Sequence, residues 1–406
     1  MALSPSLSSV VHVAGGGVIS SIGNSYAQCF QSLCEGKHGI HPLTSLESIH
    51  KYKLPVGQVS IIDNELAAEL ELKRPVTRTA MLGLYAAKEA LRASGLKNLQ
   101  PWRKGLVSST TVGGMDRSEI FYPAYLQNPA GGHLSDVIHH GCGATTELIA
   151  QHIGLNDFTA TINTACSSSA NAIIYGSRLI RQGILDVVVA GGTDALTKFT
   201  INGFKSLMIL DEEPCRPFDA GRKGLNLGEG AGYIVLVSEK VLLEEGLNSK
   251  AVVSGFANTN DAYHQTASSP DGKGSYEAME KALSMAGLMP SEISYINLHG
   301  TGTVNNDLSE GIAIKRLFVD NLPPLSSTKT FTGHTLGACG GIEAIFSTMA
   351  ITHQCVFPNL RFHLPIPELD IQPQLNFQKL PVRHVMSNSF GFGGSCSSII
   401  FSTPPE

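Results

Sequence analysis

The chain carries little charge and no excess of one sign. Lys and Arg number 29 against 34 Asp and Glu in 406 residues, a formal net charge of −5, and charged residues make up only 16%. That excludes the bulk basicity with which proteins hold nucleic acid. No uncharged apolar run is long enough to span a bilayer. No basic n-region opens the chain: the first lysine is Lys37, behind "MALSPSLSSVVHVAGGG", so no secretory leader is expected. None of the eight cysteines (29, 34, 142, 166, 215, 339, 355 and 396) forms a metal-type C-x-x-C pair. Most stand among apolar or glycine-rich residues, as reduced cytoplasmic thiols do. The glycine strings are poor nucleotide motifs, since "AGGG" misses the Rossmann spacing and no Walker lysine follows one. Low-complexity sequence and long charged linkers are also absent.

What remains is an ordinary globular composition, 42% apolar, rich in glycine at 42 residues. The length allows two domains or one large duplicated one. An internal echo favours duplication. "VVHVAGGGVISSIGNSYAQ" returns as "AVVSGFANTNDAYH", and "RKGLVSSTTVGGM" returns as "ISYINLHGTGTVNND". "TACSSSANAIIYGSRLIRQG" returns as "TGHTLGACGGIEAIFSTMAITHQ", and "ILDVVVAGGTDA" as "RHVMSNSFGFGG", all in the same order. The expectation is two similar α/β units, residues 1–250 and 251–406, with the boundary around "EEGLNSKA". "VVVAGG" and "YIVLVS" read as strands buried on both faces, as in a layered α/β/α fold. Part of the echo could be shared α/β grammar.

"NTACSSSANAIIYG" (163–176) puts Cys166 where an extended run hands over to a helix. A thiol there is a packing group or a nucleophile, and the helix N-terminus favours the thiolate. The echoed turn carries His334, and His299 ends the strand-like "SYINLHGTGT". These three form a candidate cluster at strand C-terminal ends, where open α/β sheets bind ligands. With fourteen histidines, either one could instead be structural. Lys329 lies in an otherwise uncharged stretch, and Glu343 in the next helix is its natural counter-ion.

"TACSSS", "HGTGT", "STKTFTGHTLGACGG" and "SNSFGFGG" together resemble, in order and spacing, the motifs of the β-ketoacyl-acyl carrier protein synthases, from about Val11 to Phe401. The resemblance implies a thiolase-like duplicated α/β/α/β/α layered fold. It implies that Cys166 takes an acyl chain from acyl carrier protein. A malonyl-carrier then loses CO₂ and condenses with that chain. His299 and His334 would stabilise the enolate, and backbone N–H groups of Cys166 and Phe392 would form the oxyanion hole. Lys329 would join the catalytic set, with Glu343 in support. Thr301 and Thr303 would bind pantetheine; Asp307 reads as a helix cap. Thr111 and Val112 would line the acyl pocket, gated by Phe392. No metal, flavin or nicotinamide is expected; phosphopantetheine arrives on the carrier. The implied assembly is a homodimer, or a heterodimer with a chain-length-factor-like subunit, in type II fatty acid or aryl-polyene/polyketide-like synthesis. A cysteine thioester hydrolase and a non-catalytic scaffold are the competing classes.

Four departures stand out. "GGSCSS" places Ser395 and Cys396 where relatives often have Thr-Asn, for which a repacked turn is expected. Val304 replaces a frequent proline. "LMILDEEPCRPFD" (207–219) is short and acidic, and "FYPAYLQNPAGGHLSDV" (121–137) has no Lys or Arg for an acidic carrier. Lys51, Lys53, Lys73, Lys198 and Lys205 remain as carrier contacts, set against plain solvated surface. A dedicated carrier or a partner-borne docking patch would fit.

Overall fold

The computed structural model describes residues 10–73, 76–319 and 321–405. The expectation that no secretory leader opens the chain falls on residues 1–9, which lie outside the described residues. The β-branched runs form a ten-stranded mixed sheet with mirrored order. Outward from Val11–Ser20 come Gly230–Ser238, Val187–Asp194, Lys104–Ser109 and Thr159–Ile162. Outward from Ala251–Asn260 come Ser395–Ser402, His384–Phe390, Tyr295–Asn297 and Leu325–Ser326. In each direction the first two pairings are antiparallel and the next two parallel. The series meet at one short antiparallel junction, His12 against Val252 and Val13 against Ala251. The three echoed pairs that form strands occupy equivalent places in this order.

Helices fill the remaining layers. Arg78–Ser94 packs on the strands of the first series, and Lys273–Ala286 on those of the second. The first is set by its ends: the Thr77 hydroxyl accepts the Ala80 N–H, and Gly95 closes it in the left-handed region. Ten of its residues are buried, so apolar burial adds to the high helix propensity of its Ala- and Leu-rich sequence. Between the two series lie Ser168–Arg181 and Cys339–His353, packed on each other and on strands from both. They touch at their first turns. A Cβ on Gly340 would stand 2.7 Å from Ala170 N, and the Gly341 N–H donates to Ser169 Oγ at 2.8 Å.

The same turn precedes both central helices. Ala165 and Leu336, each three residues before its helix, both hold φ at 53°. Left-handed backbone is costly for residues with a Cβ and clusters where function requires it. Among the described residues no helix is long and apolar enough to cross a membrane.

Candidate active site

Cys166 follows the strained Ala165 directly and stands two residues before the helix Ser168–Arg181. His299 follows the strand Tyr295–Asn297, and His334 follows a short helical turn, Lys329–Thr332. The three residues line one cavity of about 260 Å³ together with Thr301, Thr303 and Phe392. Cys166 is 6% exposed and each histidine 2%. The imidazole rings meet edge to face, centroids 5.7 Å apart and planes at 89°.

Hydrogen-bond donors fix both tautomers. The Leu336 N–H can only donate, and it reaches His334 Nδ1 at 3.0 Å. The Lys329 ammonium also can only donate, and its Nζ lies 3.4 Å from His299 Nδ1 and 2.7 Å from the His299 carbonyl oxygen. Each Nδ1 is therefore bare, and each ring carries its proton on Nε2. Burial, then the charge of Lys329, lowers His334 to about 3. Burial, Lys329 and His334 hold His299 well below its ordinary value. Both rings are neutral donors at physiological pH.

Lys329 Nζ contacts Glu343 Oε1 at 2.5 Å with both side chains buried. Burial alone would lower Lys329; the Glu343 carboxylate outweighs it and raises the lysine above its ordinary value. The ammonium is thus a fixed charge. Cys166 differs from the expected thiolate: burial pushes its thiol up to about 11, against the opposing pull of the Phe392 N–H, Lys329 and its own N–H. The helix N-terminus is present, but removal from water wins in the unliganded site.

The loop after His384–Phe390 closes over the thiol. A Cβ on Gly391 would stand 2.8 Å from Thr164 O and 3.2 Å from Cys166 N, so only glycine lets the loop come this near. Phe392 stacks on Phe204 at 5.8 Å and 15°. Both rings, with Cys166, also wall a second cavity of about 430 Å³ that Thr111, Val112 and Met115 line. The Thr301 and Thr303 hydroxyls lie 2.9 Å apart on the first cavity's wall.

Asp307 corrects the capping reading. Thr303 holds the N-cap position, and the buried Asp307 carboxylate instead accepts the Phe218 N–H at 2.8 Å and the Gly302 N–H at 3.2 Å. Ser395 is bound into the nucleophile turn, its Oγ 3.0 Å from Ser167 Oγ and 3.1 Å from Asn258 Nδ2. Cys396 packs against Ala278 and Phe390. Among the lysines singled out for a carrier, Lys51 pairs with Glu47 and Lys205 with Glu212 at 2.9 Å. None of those five lines the Cys166 cavity; Lys223 does.

Two buried acids escaped the sequence reading. Glu310 accepts the His299 N–H at 2.9 Å and the Gly300 N–H at 2.8 Å, and burial raises it to about 7. Asp194 accepts from Thr110 Oγ1 at 2.5 Å, Thr111 Oγ1 at 2.6 Å and Gly337 N at 2.6 Å. It ties the loop at Thr110–Val112 to the turn after His334. Its one signal was an acid ending the otherwise apolar run "VVVAGGTD".

A mirrored, layered thiolase-like fold with a cysteine and two neutral histidines in one cavity defines the class. Residues 8–241 match the N-terminal domain model of the beta-ketoacyl synthases, and residues 250–363 the C-terminal one. The 3-oxoacyl-(acyl-carrier-protein) synthase 2 of Staphylococcus aureus strain N315 is 33% identical over 404 residues, covering 96% of this chain and 97% of the relative. The synthase of the same name from Synechocystis is also 33% identical, over 407 residues, with coverage of 96% and 97%. Among solved structures, the ishigamide ketosynthase/chain length factor superposes with a TM-score of 0.92 at 27% identity, over 98% of this chain and all 100% of that one. The ketosynthase ApeO in complex with its chain length factor ApeC, from Xenorhabdus doucetiae, gives 0.85 at 30% identity over 100% of both chains. The chain belongs to the β-ketoacyl synthase family; it is a condensing acyltransferase.

Proposed function

We propose that the protein joins an acyl chain held on Cys166 to the two-carbon unit of a malonyl-carrier protein. The observation that carries this reading is the convergence of Cys166, His299 and His334 on one cavity, with both imidazoles neutral and protonated on Nε2. Cys166 Sγ attacks the carbonyl carbon of an acyl-carrier thioester. The oxygen gains charge beneath the N–H groups of Cys166 and Phe392, and the carrier thiol leaves with the proton that Cys166 gives up. The acyl chain enters the cavity beside Thr111 and Val112. Malonyl-carrier then threads past Thr301 and Thr303. Its carboxylate departs as CO₂, and the bonding pair moves into the thioester, giving an enolate held by His299 and His334. The enolate carbon attacks the acyl carbonyl carbon, the Cys166 thiolate leaves, and it takes a proton from water.

Lys329 does not touch the reacting atoms in this scheme. With Glu343 it fixes the tautomer of His299. The enzyme needs no resident cofactor: phosphopantetheine arrives on the carrier. The division at residues 250 and 251 into a half carrying the nucleophile and a half carrying both histidines is supported by the mirrored strand order. The reading places the enzyme in the cytoplasm, in accord with eight free thiols.

The working unit is a dimer with a second copy or a homologous chain. Strand Thr159–Ile162 ends the sheet with one edge unpaired among the described residues. In the segment 115–136, Ile120, Leu126 and Leu134 are 59%, 64% and 73% exposed. The absence of Lys and Arg from 121–137 favours a partner that supplies cations for an acidic carrier, as in a ketosynthase/chain-length-factor pair.

The test loads acyl-carrier proteins of varied length and saturation, then adds malonyl-carrier protein, with Cys166→Ala alongside. Intact mass spectrometry is expected to find an acyl adduct lost in the variant and a product two carbons longer. The preferred chain separates fatty acid from polyene or polyketide work. An adduct without extension points to a hydrolase or a missing subunit, and no adduct to a scaffold.

A further inference from the structure

The cavity that ends on Cys166 runs outward through a gradient of exposure. Cys166, His299, His334 and Thr301 are buried, Thr303 is half-buried, and Asn305 and Lys223 at the outer end are exposed. Lys223 is the one lysine or arginine among the described residues lining it. Its neighbouring acids are otherwise engaged. Glu212 is bound by Lys205 at 2.9 Å, and Lys223 adds only a minor pull on it. The Asp261 carboxylate on the same wall accepts the Ser269 N–H at 2.6 Å and the Gly274 N–H at 3.2 Å. Among the described residues Lys223 forms no ion pair within 4 Å. An uncommitted ammonium stands at the outer end of a channel whose inner end is a nucleophile.

We propose that Lys223 binds the phosphate of the phosphopantetheine arm, so that the site reads a phosphorylated thioester donor and not pantetheine alone. This rests on the condensing function proposed above. The arm enters thioester first, and its phosphate stays at the mouth. There a flexible ammonium meets a phosphate oxygen as a point charge, an interaction screened by salt.

The test measures acyl loading of Cys166 by intact mass spectrometry from three donors with one acyl chain: acyl-pantetheine, acyl-4′-phosphopantetheine and acyl-carrier protein. Lys223→Ala is expected to raise the half-saturating concentration of the phosphopantetheine and carrier donors about tenfold. Its maximal loading rate should stay unchanged. Acyl-pantetheine should load Lys223→Ala as it loads the parent enzyme, which also verifies the fold of the variant. Lys223→Arg should restore most of the loss, and rising salt should erase the parent enzyme's preference for phosphorylated donors. An equal effect on pantetheine and phosphopantetheine donors, or none on either, overturns the assignment. A loss confined to the carrier-borne donor also overturns it, because Lys223 would then meet the carrier's surface. If the parent enzyme loads from none of the three, the condensing reading itself fails and this assignment falls with it.

Discussion

Lys329 Nζ lies 2.7 Å from the carbonyl oxygen of His299 and 3.4 Å from the ring Nδ1 of the same residue. One buried charge therefore fixes both the backbone and the tautomer of a histidine thirty positions earlier. Its counter-ion is Glu343, in the helix that follows His334. Glu343→Gln strands that ammonium in the core and is expected to cost about 3–5 kcal/mol in denaturant unfolding. The double variant Lys329→Met, Glu343→Leu should regain most of that stability while decarboxylation stays low. A double variant that releases CO₂ at the parent rate would separate Lys329 from His299's role.

The histidines and the cysteine should separate by step. His299→Ala or His334→Ala removes one donor to the enolate, and CO₂ release should fall about 10²–10³-fold. The acyl adduct on Cys166 should still form in both. Adduct mass and labelled CO₂, followed in one reaction, would read the two steps independently.

The pH dependences follow from burial. With the Cys166 thiol near 11, alkylation by iodoacetamide should climb about tenfold per pH unit from 7 to 9, without a plateau there. CO₂ release by pre-acylated enzyme should show no histidine limb between pH 5.5 and 8. His334 also affects stability: the folded value, about 3, lies below the ordinary 6.5. Between those values the unfolded chain binds the proton and the folded one does not. Stability present above pH 6.5 is therefore lost as the pH falls toward 3. Urea midpoints of His334→Asn should fall less steeply over that range.

Gly391→Ala tests the covering loop. The new Cβ would meet Thr164 O and Cys166 N at 2.8 and 3.2 Å. The loop must retreat, carrying the Phe392 N–H away from the thiol. Single-turnover loading should drop at least about tenfold, with a melting temperature within a few degrees of the parent's. Parent-like loading would show that Phe392 does not serve the oxyanion.

Val112 lines the 430 Å³ cavity beside Cys166. Val112→Phe should shift competition among acyl-carriers toward shorter chains while the rate with the shortest is kept. Unchanged selectivity would place the length limit elsewhere, including across a subunit interface.

Much of this protein was legible in its residues. The order of "TACSSS", "HGTGT" and "TGHTLGACGG" pointed to the cluster, and the echoes pointed to the mirrored sheet, because strand-to-helix turns are set by short stretches of sequence. The lone lysine among small uncharged residues led to its partner Glu343 for a different reason: a buried charge needs another. Other features depended on atoms far apart in the chain. Asp194 bonds to residues more than eighty positions away on either side, and Glu310 looks in sequence like any helical acid. The helix start after Cys166 suggested a thiolate, yet the thiol is pushed up because the loop at Gly391 and the second half of the chain exclude water from it. Lys223 was one exposed lysine among many until the fold set it at the mouth of the Cys166 cavity. Local sequence determined which groups stand at which turns. Only tertiary packing decided their solvation, charge state and company, since those depend on everything within a few ångströms.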